Sequence, residues 1–150
     1  AQNNTGIIYQ LVNDKPAVEI VHFDPDFADK IFFVYLNQKQ NSKSAIAAYY
    51  NNLGNIQKTI PVINEITQTV IEATHPKTFA LALSQHEIEL SNILELSTVK
   101  ETLFHDFDGV VKSLGAWGGD FVLAISKENP TDYFKAKGFE VVIPYREMIL

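Results

Sequence analysis

The chain has 150 residues, of which 46% are hydrophobic and 20% are charged, a composition typical of a folded globular protein and not of a disordered one. A net charge of −6 argues against nucleic acid as a partner, and no run approaches the ~18 apolar residues of a membrane span, so no membrane partner is expected either. The absence of cysteine excludes disulfides and thiolate chemistry, the four histidines lack metal-ligand spacing, and we expect a cytoplasmic protein without a metal site.

The first 27 residues predict a β-hairpin. Gly6–Val12 and residues 17–23 have the composition of strands, and the residues between them have turn chemistry. Because two strands alone are only marginally stable in water, this hairpin is expected to need a partner. The sequence Asp-Pro-Asp at residues 24–26 breaks the strand pattern, and we place a domain boundary there, between residues 1–27 and residues 28–150.

The next elements are a buried strand and two helices. Residues 30–36 are apolar almost throughout and predict a central strand buried on both faces. Asn41 or Ser42 is placed to cap a helix that ends at Gly54. Thr59 is placed to cap a second helix, whose apolar residues recur at helical spacing: Ile63, Ile66, Val70 and Ala73.

A third, longer helix is predicted to begin at His75-Pro76, because proline fits a first helical position. Its inward stripe consists of residues that alternate in steps of four and three: Phe79, Leu83, His86, Leu90 and Ile93. Thr98 and Glu101 match a capping box, which predicts the start of a short fourth helix.

The C-terminal part predicts two strands around a glycine loop, then a helix and a last strand. Residues 109–111 and 121–125 flank the loop, Asn129-Pro130 caps a helix that Gly138 closes, and residues 139–144 form the last strand. The order after the hairpin is therefore β, several α, β, loop, β, α, β. This order predicts an α+β fold, a ferredoxin-like α/β sandwich with an antiparallel sheet and helices on one face.

The glycine loop, residues 112–121 with the sequence KSLGAWGGDF, is the feature around which the other elements are arranged. Glycine is used where the backbone takes a positive φ or comes close to a ligand. Consecutive exposed N–H groups at the tip of a hairpin form a concavity suited to phosphate. On these residues alone, a tight β-turn that merely needs glycine is an equal alternative.

The pattern Lys-x-x-Gly-Ala-x-Gly-Gly-Asp in this loop, followed by an apolar strand, resembles the third, C-terminal motif of the GHMP kinases. This superfamily includes galactokinase, homoserine kinase, mevalonate kinase and phosphomevalonate kinase, and its motif usually reads Lys-x-Ser/Thr-Gly-Ala-Gly-x-Gly-Gly. Leu114 stands where Ser or Thr is usual and Trp117 where Gly is usual, so a hydroxyl is lost and an indole is gained. From the loop onward, the chain is most similar to the mevalonate kinase-like branch.

The resemblance implies a protein of two halves. In the family, the N-terminal half carries a Gly/Ser-rich ATP loop and, in many members, the catalytic Asp, and neither motif is present here. Residues 1–27 would then complete the sheet of a missing N-terminal domain, and residues 28–150 would form the C-terminal kinase domain. The implied cofactors are ATP and Mg²⁺, bound mainly by the missing half. No catalytic residue is expected in this fragment, which is expected to be inactive alone.

The resemblance also implies a set of substrate- or phosphate-binding residues. His86 lies on the helix that flanks the acceptor pocket in the family, and Ser42 corresponds to a Ser/Thr that often follows the buried strand in mevalonate kinase relatives. From the residues alone, an interior histidine and a helix cap are the simpler interpretations. Asp106 and Asp108 read more simply as turn chemistry than as a catalytic pair. The full set is Gly115, Ala116, Trp117, Gly118, Gly119, Asp120, Ser42 and His86.

These observations lead to one interpretation and two alternatives. The interpretation is an ATP-dependent GHMP-type kinase that phosphorylates an alcohol or phosphate of mevalonate type in isoprenoid precursor synthesis. Its expected partners are a small-molecule alcohol substrate and the N-terminal half of the same kinase, with homo-oligomer formation left open. The alternatives are a non-catalytic ligand-binding or regulatory α+β module and an oligomerisation domain whose glycines only make a turn.

Overall fold

The computed structural model describes residues 6–13, 15–38, 53–115 and 119–149. In these ranges the strands are β1 (Gly6–Val12), β2 (Lys15–Val21), β3 (Ile31–Tyr35), β4 (Gly109–Ser113), β5 (Phe121–Ser126) and β6 (Val142–Pro144). The helices are α1 (Leu53–Glu72), α2 (Pro76–Leu94), α3 (Val99–Leu103), α4 (Thr131–Ala136) and α5 (Tyr145–Met148), and a 3-10 turn (Ala28–Lys30) precedes β3.

Four of the described strands form one antiparallel sheet in the order β4-β5-β3-β6. Strand β3 pairs with β5 from Ile31↔Ile125 to Tyr35↔Phe121, and on its other edge with β6. Both faces of β3 are buried, since Ile31, Phe32, Phe33 and Val34 are all excluded from solvent. The prediction of a central buried strand is confirmed, and the fold is of the α+β class with an antiparallel sheet.

The two faces of this sheet pack against different helices. Ile31 and Phe33 of β3 point to the face that Phe79 of α2 covers, with Val70 of α1 at its margin. Phe32 and Val34 point to the opposite face, whose cluster is completed by the following buried residues of α3, α4 and the segment between α3 and β4: Val99, Phe104, Phe107 and Phe134. The long helices therefore share one face, while the short helices α3 and α4 cover the opposite face, where the prediction had placed no helices.

The hairpin β1–β2 is a separate two-stranded sheet in the described part of the chain. Strand β2 begins at Lys15, two residues before the predicted start, so Pro16 lies in the strand opposite Leu11. One face of the hairpin is apolar along its length, with the cross-strand pairs Ile7↔Ile20, Tyr9↔Val18 and Leu11↔Pro16. Each of the large side chains on this face is between 45% and 63% exposed.

Helix α1 differs from the prediction. The helix expected to end at Gly54 lies mostly outside the described residues, and Gly54 and Thr59 are both inside one continuous helix that also contains Pro61. Inside a helix, a glycine costs about 1 kcal/mol relative to alanine and a proline about 3 kcal/mol. Burial of Ile66 and the packing of α1 on α2 oppose these local costs. Tertiary packing therefore overrides the local signals that predicted a helix start at Thr59.

The other helix boundaries follow their predicted caps. Thr98 and Glu101 form the expected capping box, with Glu101 N–H donating to Thr98 Oγ1 at 3.2 Å and Thr98 N–H to Glu101 Oε2 at 2.8 Å. Helix α2 begins at Pro76 as predicted. Asn129 Oδ1 accepts the N–H of Thr131 at the start of α4.

The last strand, β6, is shorter than predicted because of how the preceding helix ends. Phe139 N–H donates to Phe134 O, a bond that belongs to the C-terminal turn of α4. Its ring packs edge-on against Phe104 at a centroid distance of 5.1 Å. Phe139 is thereby held as part of the helix end, and the strand begins only at Val142.

We predict that Phe104→Ala is among the most destabilising single substitutions in this fold. The Phe104 side chain is fully buried, and its ring contacts Phe134 at a centroid distance of 5.0 Å. Removing a buried phenyl ring and leaving its cavity costs about 3–5 kcal/mol. The free energy of unfolding, measured by urea denaturation, gives the value. Leu81→Ala is the matched control, because Leu81 is 60% exposed and surface truncation changes stability by less than about 0.5 kcal/mol. Equal losses in the two variants would contradict the assignment of the core.

Candidate functional site

The glycine loop connects β4 to β5 at one edge of the four-stranded sheet. The described residues cover its two ends, and Ala116, Trp117 and Gly118 lie outside them. The ladder continues one pair past β4, since Leu114 N–H donates to Phe121 O at 3.1 Å. On the returning side, Leu36 N–H donates to Asp120 O at 2.7 Å. Both ends of the loop are therefore fixed to the sheet by backbone hydrogen bonds.

Gly115, the first glycine of the loop, has a backbone conformation that side chains disfavour. Its φ is +63°, in the left-handed region, and the residue is exposed. A Cβ added there would meet no heavy atom of the described residues within 4 Å, so among these residues glycine is needed for its conformation and not for space. The backbone here is open to a ligand, a geometry that a phosphate-binding loop and a simple turn share.

A buried carboxylate lies beneath the loop. Glu87, on α2, is only 3% exposed, and it accepts hydrogen bonds from Ser113 N–H at 3.1 Å and from Ser113 Oγ at 2.6 Å. Lys112 Nζ lies 3.3 Å from Glu87 Oε2 and donates to Ser113 O at 2.6 Å. The three residues form a compact network between α2 and the last two residues of β4. We call it the Glu87 clamp.

Sequence reasoning missed the Glu87 clamp. Glu87 follows Phe79 and Leu83 at steps of four, so it falls on the inward side of α2, where an acidic residue is out of place unless it is paired. The signal that was available is this one charged residue in an apolar stripe, together with a lysine next to the glycine loop. Their contact across 25 positions of the chain, from 87 to 112, is set by the packing of α2 on the sheet.

His86 is coupled to the clamp by charge. Burial, and then the positive charge of Lys112, lower the pKa of His86 from 6.5 to about 4, so its imidazole is neutral near pH 7. Burial also lowers the pKa of Lys112, and the neighbouring Glu87 carboxylate opposes that shift. The Nδ1 atom of His86 is buried and has no hydrogen-bond partner among the described residues.

The predicted site residues divide into three groups. Gly115, Gly119 and Asp120 lie at the two ends of the loop, with Gly119 buried and the other two exposed. His86 lies on α2 within electrostatic reach of Lys112 at the base of the loop. The remaining predicted residues lie outside the described ranges: Ala116, Trp117, Gly118 and Ser42.

A cleft of about 290 Å³ lies between α2, α3 and β4. Its polar lining includes Ser84, Glu87, Lys100, Glu101 and His105. Lys100 Nζ donates to Gly109 O at 2.5 Å. The cleft shares Glu87 with the clamp and is lined on its β4 side by Val110 and Val111.

Asp106 lies in the turn before β4, and its carboxylate is hydrogen-bonded to side chains of α4 and of the residue that follows it. Its Oδ1 accepts from Tyr133 OH at 2.6 Å and from Lys137 Nζ at 2.7 Å. The hydrogen bond from Lys137, and then the one from Tyr133, lower the pKa of the exposed Asp106 to about 2. These bonds attach the segment before β4 to α4. In the described part of the chain, no three histidine, aspartate or glutamate side chains are grouped to hold a metal ion.

Comparisons with known proteins bear on the fold alone. No family model matches the chain, and no curated protein matches it. Among solved structures, the crystal structure of a Lin0012 protein from Listeria innocua is similar, with a TM-score of 0.59 and 15% sequence identity. The similarity covers 81% of this chain and 38% of the Listeria protein, so the chain spans well under half of that protein's length. No helix in the described ranges is long and apolar enough to cross a membrane.

We predict that His86 makes the stability of the protein depend on pH between about 6.5 and 4. Because the folded-state pKa lies below the ordinary value of 6.5, the unfolded chain takes up this proton first as the pH falls. The contribution of His86 to stability is therefore complete above pH 6.5 and is lost as the pH falls toward 4. An NMR titration of the His86 ring should show its midpoint near 4.

The control for this titration is Lys112→Met. Removing the ammonium group, and leaving the Glu87 carboxylate without its counterion, both favour the protonated imidazole, so the midpoint of His86 should rise. A midpoint near 6.5 in the unsubstituted protein would contradict the environment described for His86.

Proposed function

We propose that the chain is the C-terminal domain of an ATP-dependent small-molecule kinase of the GHMP type, located in the cytoplasm. The acceptor is an alcohol or phosphate of mevalonate type, in isoprenoid precursor synthesis. One observation carries the proposal. The loop whose sequence resembles the third GHMP motif connects two antiparallel strands of an α+β sheet, and its first glycine, Gly115, presents an open, left-handed backbone.

The open backbone at Gly115 supports a phosphate group at this loop. An oxygen atom approaches a backbone N–H closely only where no side chain intervenes, and no atom of the described residues lies within 4 Å of the Cβ position of Gly115. Bound ATP and Mg²⁺ would supply the phosphoryl group and neutralise its charge. In this proposal they are held mainly by an N-terminal half, which also provides the base. The family resemblance assigns one wall of the acceptor cleft to the loop, residues 115–120, and substrate contacts to His86 and Ser42.

The exposed face of the hairpin β1–β2 supports a partner of this kind. A two-stranded hairpin with an apolar face is marginal in water, and this face carries five large side chains at 45% exposure or more: Ile7, Tyr9, Leu11, Val18 and Ile20. The match to the structurally similar Listeria protein covers 38% of that protein, so the Listeria chain has further residues beyond the part that resembles this fold. We therefore propose that residues 1–27 complete the sheet of the N-terminal half of the same kinase.

A second candidate function is a non-catalytic ligand-binding or regulatory module. The cleft between α2, α3 and β4 favours it, because its volume of about 290 Å³ is lined by both polar and apolar residues of these elements. Leu114 and Trp117, which depart from the kinase motif, agree with it as well. In this case the loop is a turn, and the ligand binds beside the outer edge of β4.

Phosphoryl-transfer assays separate the two functions. ATP and mevalonate, or ATP and phosphomevalonate, are supplied to the 150-residue chain and to the complete native polypeptide that contains it. The kinase proposal expects transfer by the complete polypeptide and none by the 150-residue chain, because positioning by one half does not assemble the site. Absence of transfer in both forms, with metabolite binding to the 150-residue chain, contradicts the kinase and supports the module.

The same assay with two glycine variants tests the role of the loop. Gly115→Ala and Gly138→Ala are matched, because both positions have positive φ and open space around the added Cβ. Each should lose about 1–2 kcal/mol of stability through backbone strain. The two variants should differ in their kinetics. Gly115→Ala should lower kcat/KM by up to about 10²-fold, because it displaces groups that orient the phosphate, whereas Gly138→Ala should leave kcat/KM unchanged. Equal kinetics in the two variants would show that the loop is only a turn.

We further predict that the 150-residue chain self-associates through the apolar face of the hairpin. Tyr9 and Val18 are cross-strand neighbours at 61% and 58% exposure. Tyr9→Lys together with Val18→Glu should therefore shift the chain to a monomer in sedimentation experiments. Gln10→Lys, an exposed position on the opposite face, should leave the association unchanged. A monomeric unsubstituted chain with a slowly exchanging hairpin would count against the need for a partner.

A further inference from the structure

We infer that Glu87 is a positioning residue for the glycine loop, and that Lys112 is its fixed counterion and not a ligand of phosphate. The geometry of the clamp stands independently of any activity. The ligand of the loop, a nucleotide phosphate, rests on the proposed function.

Strand β4 lies at the edge of the described sheet. In the described sheet it pairs only with β5, and its hydrogen bonds to β5 are made by alternate residues. Because Leu114 N–H bonds to Phe121 O, the N–H of Ser113 points away from β5, toward the open edge. Glu87 accepts this N–H and the Ser113 hydroxyl at once, so it replaces the missing neighbouring strand at the last residue of β4.

The hydrogen bonds at the base of the loop set the direction in which the chain leaves the sheet. Gly115 is two residues past Ser113, is exposed, and has no side chain to anchor it. The direction in which the chain leaves the sheet therefore depends on the bonds at Ser113 and Leu114. Helix α2, from which Glu87 projects, is fixed to the sheet by the buried ring of Phe79. Through its bonds to Ser113, Glu87 therefore attaches the base of the loop to α2.

Lys112 is held within the clamp by two contacts of its ammonium group. Its side chain is 12% exposed, and its Nζ contacts Glu87 and Ser113 O, which occupies two of its three N–H donors. If Lys112 moved to a phosphate, Glu87 would remain as a buried carboxylate without its counterion, a costly state. Holding Lys112 in place keeps the clamp neutral overall. Phosphate recognition is then left to the loop backbone.

The same strand offers a matched control at its other end. Lys100 Nζ donates to Gly109 O, also on the outer edge of β4. If Glu87 merely covers a strand edge, removing either cover should have similar effects. If Glu87 positions the loop, only its substitution should loosen the hydrogen bond of Leu114 N–H at the loop base.

The experiment is a double-mutant cycle with Glu87→Gln, Lys112→Met and the double variant, with Lys100→Met as the control. Amide hydrogen exchange is measured at Ser113 and Leu114, whose N–H groups donate to Glu87 and to Phe121 O, and at Phe33 and Val34 in the core. Each single variant leaves one charge of the pair without its partner, so exchange at the two loop-base amides should rise by about tenfold or more. The double variant, in which neither charge remains, should lie closer to the unsubstituted protein than either single variant does. Lys100→Met should leave Leu114 unchanged.

ATP affinity in the complete polypeptide provides the second readout. The inference expects the double variant to bind ATP within about threefold of the unsubstituted protein, because the amide oxygen of Glu87→Gln can still accept the bonds of Ser113 and no buried charge is left unpaired. Loss of ATP binding in Lys112→Met, with loop-base exchange unchanged, would identify Lys112 as a direct ligand and overturn the inference. Equal effects of Glu87→Gln and Lys100→Met on exchange at Leu114, or strictly additive effects in the cycle, would overturn it as well.

Failure of the inference and failure of the proposed function have different signatures. If the complete polypeptide neither binds ATP nor transfers phosphate, the kinase proposal fails, while the exchange cycle still decides whether Glu87 positions the loop. If a single variant does not fold, its core amides at Phe33 and Val34 lose protection too. The comparison of the double variant with Lys100→Met then decides the question.

Discussion

Complete burial of β3 is the constraint on which the rest of the structure depends. Its four residues from Ile31 to Val34 have no exposed face, and both of its edges are hydrogen-bonded. A strand of this kind needs a layer of apolar side chains on each side. The long helices α1 and α2 provide one layer, and the cluster around Phe104 and Phe134 provides the other. The glycine loop follows from the same constraint, because its returning strand, β5, bonds directly to β3.

The rigidity of this arrangement is unevenly distributed. In the described sheet, strand β5 pairs with a strand on both edges, whereas β4 pairs on one edge only. The outer edge of β4 is covered by side chains at Gly109 and Ser113. Edge strands are commonly protected by charged side chains, and Lys100 has this familiar form. Glu87 is different, because it is buried and needs a second buried charge, Lys112, to balance it.

The sequence predicted the features that depend on local chemistry. The capping box at Thr98, the start of α2 at Pro76 and the central strand are each encoded within a few residues, and each is confirmed. Features that depend on distant contacts were not predictable in the same way. Helix α1 continues without a break past Thr59, where the sequence predicted a helix start, and it packs on α2. The helical cover on the second face of the sheet depends on where Phe104 and Phe134 meet.

The candidate site shows the same division. The cluster of glycines in the loop is visible in the sequence and predicts a backbone with positive φ. The left-handed φ of Gly115 agrees with this prediction. His86 was singled out on the apolar stripe of α2, yet its neighbour Glu87 is the residue that contacts the loop base. A helical stripe predicts which side of α2 faces inward, but not which strand residue each side chain meets. Only the packing of α2 on β4 brings Glu87 to Ser113 and Lys112.

The Glu87 clamp also bears on the choice between a turn and a functional loop. A tight turn needs a glycine with positive φ, and Gly115 alone supplies it. It does not need a carboxylate and an ammonium buried beneath it, because an apolar pair of the same size is often as stable or more so. A loop that must hold its backbone N–H groups toward an anion has a different requirement, which is a base that does not shift when charge arrives. A neutral pair anchored on a long helix would meet that requirement, and this is the reason why we propose that Glu87 serves a loop that binds an anion.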